Sequence, residues 1–245
     1  MKSIIRRLIL KLAPVGIFNF FYYHHPEYKK MQNGNVSFSQ EGEDMVLRRV
    51  FGNKQKGFYV DIGAHHPTLF SNTNYFYQKG WTGINIDALP GNKLNFDAQR
   101  PNDSNLELLI SENEGQVEFY LFDPSLMSTM SKQQAKANQK FDWCKLLAMV
   151  MVSSVPLGKL LDQYVKPDTK IDFMSIDVEG AEMTVLNSNN WEKYSPDVLL
   201  VEFIDVAIDD IIKSDVHHFL TNRSYNFFAK TGNTVFYKKK GFFEF

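Results

Sequence analysis

The sequence predicts an α/β protein built around a parallel β-sheet, and three stretches carry that prediction. Phe58 to Ile62 is an apolar run carrying Asp61 and stopping at Gly63, as a buried parallel strand does where it enters a ligand-binding turn. Trp81 to Ile86 is a second run and stops at Asp87. Between them lie Ser71-Asn72-Thr73, a helix-capping cluster, and a short helical pattern closed by Gly80. Together they form one βαβ unit of about 30 residues. A third run, Ile171 to Ile176, stops at Asp177, with Glu179 and Glu182 in the turn that follows.

Residues 1–36 read as an extension ahead of a domain spanning 37–245. Ile4, Ile5, Leu8, Ile9 and Leu12 share one helical face, opposite Lys2, Arg6, Arg7 and Lys11. Pro14 arrives too soon for a membrane span of ~20 residues, and no small-residue cleavage site follows. Two readings stay open: peripheral contact with an anionic membrane through residues 1–30, or packing and self-association through the same segment.

The acidic stretch Ser39 to Asp44 then opens a helix from Met45 to Phe51. A second helix starts at Pro90-Gly91 and runs to about Gln99. Leu106 to Ile110 reads as a third strand, tipped by Ser111-Glu112, and Val117 to Leu121 alternates as an edge strand does. Residues 124–150 fit no core element. They start with small polar residues and continue as Lys- and Gln-rich helical sequence through Val150, which suits either a lid-like insertion or a helix covering one sheet face. After a short strand at Val152 to Pro156 come a helix at Leu157 to Tyr164, a strand at Val198 to Phe203 and a helix at Ile208 to Leu220. A hairpin, Ser224 to Lys230 and Thr234 to Lys239, closes the chain across Thr231-Gly232-Asn233.

Composition removes some function classes. The chain has 245 residues, 44% hydrophobic and 22% charged, enough for one well-filled domain without staples. A formal net charge of −1 argues against nucleic acid as a partner. The lone Cys144 excludes an intramolecular disulfide and a cysteine zinc cluster. It points to a reducing compartment, the cytoplasm, with the inner membrane surface as a possible address.

In a parallel sheet the acids Asp61, Asp87, Asp177 and Glu202 converge on one edge, the edge where ligands bind. A dinucleotide would need Gly-x-Gly-x-x-Gly, but the positions two and five after Gly63 are His65 and Thr68. The pyrophosphate seat is missing. S-adenosylmethionine has no phosphate and offers an ammonium, a sulfonium and a ribose diol. Asp61 suits the ammonium, Gly63 lets the amino-acid part approach the backbone, and Asp87 suits both ribose hydroxyls. Ser111 faces an adenine edge or merely makes a turn. Gln40 and Glu43 line the ligand or simply start a helix.

For proton abstraction from an acceptor hydroxyl the candidates are Asp177 and Glu179, with His66 as runner-up. No metal is required. The less favoured variant is a magnesium ion on Asp177, Glu202 and Asp205. His217 and His218 sit on a helix away from the ligand edge. Tyr75, Phe76, Tyr77 and Trp81 could stack on a sugar, but their helical spacing suits the core.

These stretches together resemble the FkbM-type methyltransferase family over about residues 37–238. The carriers are Ser39 to Asp44, Asp61 to Pro67, Ser71-Asn72-Thr73, Gly80 to Asp87 and Ser175 to Glu182. The resemblance implies a Rossmann-like seven-stranded sheet, mostly parallel with an antiparallel last strand. It also implies S-adenosylmethionine as donor and O-methylation of a hydroxyl, most readily that of a sugar in polysaccharide or glycan biosynthesis. With it, the candidate cofactor set becomes Gln40, Glu43, Asp61, Gly63, Ala64, Ser71, Asn72, Thr73, Asp87, Ala88, Ser111 and Asp177. The alternatives are a non-catalytic binding protein on the same fold and, further off, a nicotinamide-dependent sugar oxidoreductase.

Overall fold

The computed structural model describes residues 36–242. The basic N-terminal extension and both readings of it lie outside the described residues. Among the described residues no helix is long and apolar enough to cross a membrane.

Seven strands form the main sheet. They are β1 (Phe58–Ile62), β2 (Thr82–Asp87), β3 (Ser104–Glu107), β7 (Phe173–Ile176), β8 (Val198–Glu202), β9 (Tyr225–Lys230) and β10 (Thr234–Lys239), in the order β3-β2-β1-β7-β8-β10-β9. The first five neighbours are parallel, and the chain's last strand, β10, runs antiparallel between β8 and β9. This is the α/β sheet, mostly parallel with an antiparallel last strand, that the sequence and its resemblance led us to expect. Alternation sends each strand's side chains to two apolar layers. On one face Val60, Ile62, Ile84, Ile86, Met174, Ile176, Leu199 and Val201 pack against α5 (Leu157–Tyr164), α6 (Glu182–Asn187) and α8 (Asp215–Thr221). On the other, Tyr59, Phe173, Val198 and Leu200 meet Leu47 and Phe51 of α1 (Glu43–Phe51) and Phe76 of α2 (Asn74–Gln78). Phe76 and Trp81 are 3% and 2% exposed, so the aromatic cluster after the first strand belongs to the core.

Three elements differ from the sequence reading. The third strand breaks in two at Leu108, whose N–H bonds to the Asp87 carbonyl. β3 stays in the main sheet, while β4 (Leu109–Ile110) enters a second sheet of order β4-β6-β5. In that sheet β5 (Gly115–Asp123) and β6 (Lys145–Val155) pair antiparallel along their length. Of the sequence that looked helical, Lys145 to Val150 is therefore strand, while the Lys- and Gln-rich part ahead of it is a helix. Leu, Ala and Met favour helix locally, but Val117, Phe119 and Leu121 of β5 offer an alternating apolar partner, and that pairing wins. Finally, Ile208 to Leu220 is two helices, α7 (Ile208–Ile211) and α8. The Ser214 hydroxyl accepts from His217 N–H at 3.1 Å and caps a new helix start.

Between β5 and β6 lie a 3₁₀ turn (Ser125–Met127) and α4 (Lys132–Asn138), capped by Ser131. The helix α3 (Asn92–Gln99) follows β2.

Candidate active site

The C-terminal ends of β1, β2, β7 and β8 open into a cavity of about 470 Å³. Its geometry starts at Gly63. The residue has φ +81°, and a Cβ there would lie 1.6 Å from the Asp177 carbonyl oxygen, so no other residue fits. The loop after β1 and the loop after β7 are thus in backbone contact, reinforced by the Asp177 N–H bond to Ile62 O at 2.9 Å. Four non-glycine residues on the cavity wall also have left-handed backbones: His65 (φ 50°), Phe70 (53°), Glu179 (54°) and Asp205 (53°). Such conformations hold only where the surroundings over-determine them, and they gather at functional sites.

The wall is acidic. Asp87, Asp177, Glu179, Glu202 and Asp205 line it; among the described residues neither a lysine nor an arginine does, and His65 is the only base. Asp87, at the tip of β2, accepts from His65 N–H at 2.7 Å and Leu89 N–H at 2.8 Å, which fixes its carboxylate. Burial raises its pKa against the opposing effect of those bonds.

Asp177, Glu179 and Glu202 bring carboxylate oxygens within 4.8 Å of one another. The Asp177 and Glu202 carboxyls are close enough to share a proton; burial raises both, repulsion from Asp177 and Glu179 raises Glu202 further, and Glu202 acts against the rise at Asp177. Glu179 is 8% exposed, and its Oε2 is buried without a hydrogen-bond partner. Burial first, then the neighbouring acids, push it up to about 8.

The insertion completes the enclosure. The Thr129 hydroxyl donates to the Glu179 carbonyl at 2.8 Å, and the Ser125 hydroxyl lies 3.2 Å from His65 Nε2. Phe141 and Trp143 stack with ring centroids 5.4 Å apart at the mouth, 47% and 60% exposed.

Of the residues singled out from sequence, Gln40, Gly63, Asp87, Ala88, Asp177 and Glu179 line the cavity, as do Glu202 and Asp205. The others stand behind it. Asp61 is buried and accepts from the Thr73 hydroxyl at 2.9 Å. Thr73 in turn accepts from Arg100 at 2.7 Å, and Arg100, 1% exposed, also donates to the Ser71 hydroxyl at 2.7 Å and to Pro67 O. Asn72 donates to the Ser175 hydroxyl at 3.0 Å, tying this loop to β7. Burial raises Asp61 to about 6, opposed by Thr73 and Arg100.

Ala64 is buried, its N–H bonded to Ile86 O. Glu43 accepts from the Thr231 hydroxyl at 2.8 Å and Glu41 N–H at 2.9 Å. Ser111 donates to Asn113 O at 2.6 Å, closing a turn. His66 Nδ1 accepts from Thr68 and Leu69 N–H at 3.1 and 3.0 Å, which uses that nitrogen in the loop. The tightest group of possible metal ligands contains Glu179 in place of Asp205.

Sequence reasoning missed Arg100, which has no motif around it, and Asn92, whose amide fixes the His65 carbonyl at 2.6 Å. It also missed the aromatic pair at the mouth. The exposed Trp143 beside Phe141 was the available signal, hidden by reading the segment as helix.

A family model for the methyltransferase FkbM domain matches residues 61–227. No curated protein matches the chain. Among solved structures, a TehB-like SAM-dependent methyltransferase from Corynebacterium glutamicum is similar at 8% identity, covering 92% of this chain and all of the other, with a TM-score of 0.41. A second is the Burkholderia thailandensis 1,6-didemethyltoxoflavin-N1-methyltransferase, solved with 1,6-didemethyltoxoflavin and S-adenosylhomocysteine. It is 10% identical and covers 93% of this chain and 91% of the other, with a TM-score of 0.44.

Proposed function

The chain belongs to the FkbM methyltransferase family, and on that premise we propose that it methylates a hydroxyl oxygen, with a sugar of a glycan or its precursor as the acceptor. S-adenosylmethionine, when bound, supplies an electrophilic methyl group on a sulfonium centre. The cavity suits that molecule in two respects. Its wall is acidic and free of lysine and arginine among the described residues, which favours a cationic, phosphate-free nucleoside. Gly63 also lines the cavity together with Asp87, whose fixed carboxylate can accept from a ribose diol.

One observation carries the chemical part of the reading: the buried, unbonded Oε2 of Glu179. An alcohol needs its proton removed as the new bond forms, and an acid poised near neutral pH does that best. Glu179, raised to about 8, and Asp177, raised to about 6, lie on either side of that condition, and the approach of a cation lowers Glu179 towards the working range. Asp177, beside the Glu202 carboxyl, holds the neighbouring position and shares the role of candidate base. Phe141 and Trp143 offer a flat, exposed face at the mouth on which a sugar ring can stack.

Glu179→Gln and Asp177→Asn are the decisive variants. Each keeps S-adenosylhomocysteine binding in a calorimetric titration, and at least one lowers turnover by roughly 10²–10⁴-fold. Normal turnover in both overturns the assignment. Cofactor binding with no transfer to any hydroxyl acceptor supports a binding protein instead.

A second reading rests on the closeness of the Asp177, Glu179 and Glu202 oxygens, which suits a divalent cation that would acidify the acceptor hydroxyl. Activity that survives exhaustive chelation removes it.

A further inference from the structure

The second sheet has an edge that no strand among the described residues covers. Along β6, β5 pairs one side from Lys145 to Ser154, but on the other side β4 reaches only Ser154 and Val155. Lys145 to Ser153 therefore have no strand partner on that side among the described residues. The same stretch carries Leu146, Leu147, Met149 and Met151 at 40%, 65%, 51% and 56% exposure. Elsewhere in the molecule, edges are guarded. β3 is four residues long and reads Ser-Asn-Leu-Glu, and β9 carries Asn226 and Lys230. Shortness, charge, proline and bulges are the devices that keep a monomer's edge from pairing. From Leu146 to Ser153 the sequence has no charge and no proline, and the one such device on the strand is an irregularity at Leu147, where its register with β5 shifts.

We propose that this edge is an interface between two copies of the chain, with β6 pairing antiparallel to β6 across a two-fold axis. Three features select that occupant. A row of free N–H and C=O groups needs hydrogen-bond partners, which a lipid surface cannot give and another strand can. An antiparallel pair centred on Met149 is self-complementary, because Leu147 then faces Met151 and Met149 faces its own copy. The stretch's single charge, Lys145, falls opposite Ser153 in that register, so no like charges meet. Pairing joins the two three-stranded sheets into one of six strands and brings the exposed Leu and Met side chains of both copies together. This surface is independent of the chemistry at the cavity.

The full-length protein tests it through its mass in solution and one cross-link. At micromolar concentration, light scattering on the wild type gives twice the 28.4 kDa of one chain. Met149→Lys, which sets two ammonium groups face to face at the axis, gives the mass of one chain with an unchanged circular dichroism spectrum. Met149→Cys, treated with diamide, gives a disulfide-linked dimer, because facing residues of an antiparallel pair lie ~4.5–5.5 Å apart between Cα atoms. Neither the wild type, whose Cys144 is buried, nor Leu94→Cys, at a highly exposed helix position, links in this way. A wild type of single-chain mass overturns the proposal, including one that sediments with anionic vesicles. So does a dimer that Met149→Lys leaves intact, or a Met149→Cys that links no better than Leu94→Cys.

Discussion

Two groups of buried acids stand on neighbouring strands of one sheet, and they are treated differently. Asp61 on β1 is met by the Thr73 hydroxyl, with Arg100 behind it, and Arg100 is itself held by Ser71, Pro67 and Asn85. At the tips of β7 and β8, Asp177 and Glu202 have each other, and Glu179 Oε2 has nothing. Burial disfavours charge in both places. Around Asp61 that penalty is offset by fixed donors, which makes a framework. Around Glu179 it is left standing, which makes a site that gains when a cation or a proton donor arrives. A buried acid at a strand tip is thus no guide to function until its partners are counted.

Substitutions can break that contrast, and the largest effects are on folding. Gly63→Ala drives a methyl into the Asp177 carbonyl and demands a left-handed alanine; we expect loss of more than ~4 kcal/mol, read as failure to fold or a collapsed urea midpoint. Arg100→Met strips the framework of its cation and leaves Thr73, Ser71 and Pro67 short of a donor. The expected loss is ~3–5 kcal/mol in urea unfolding. Glu179→Gln removes no hydrogen bond and should leave stability equal or slightly higher while turnover falls, the opposite pattern.

Acid strength sharpens the contrast further. Glu179 has a folded-state value of about 8 against an ordinary 4.5. Between those values the folded protein holds more protons than the unfolded chain, so the stability of the cofactor-free protein falls as pH rises, by at most ~1.4 kcal/mol per pH unit for one group. Asp61, at about 6, stops contributing to that slope above its own value. The decline from about 6 to about 8 therefore reports on Glu179 together with Glu202, which is raised to about 11. Glu179→Gln makes it shallower by its own share in chemical denaturation across pH, and Asp61→Asn does not. The smallest effect is at the mouth: Trp143→Ala should raise KM for a sugar acceptor roughly three- to tenfold, the scale of one lost aromatic contact, with kcat and S-adenosylhomocysteine affinity held.

Much of this was legible in the sequence because parallel strands bring their tips to one edge. An apolar run ending in an acid or a glycine locates Gly63, Asp87, Asp177 and Glu202 without any structure. What could not be read depended on distant partners. Arg100 closes a helix in front of a proline, and only the folded chain shows it reaching Thr73 and Ser71. The strand β6 is written in residues that favour helix, and its state is set by β5, whose Phe119 faces Val150 at the centre of the pairing. The role of Ser71-Asn72-Thr73 shifted for the same reason. Ser71 does accept from Asn74 N–H, but Thr73 spends its hydroxyl on Asp61 and Arg100.

The contact between Gly63 and the Asp177 carbonyl leaves not even a methyl's width between two loops that come from distant parts of the chain. The loop that would seat a methyl donor and the loop that carries Glu179, the base we propose, are consequently locked at one spacing. Whatever breathing the hairpin insertion undergoes above them, the gap that transfer must cross is ruled by the sheet beneath.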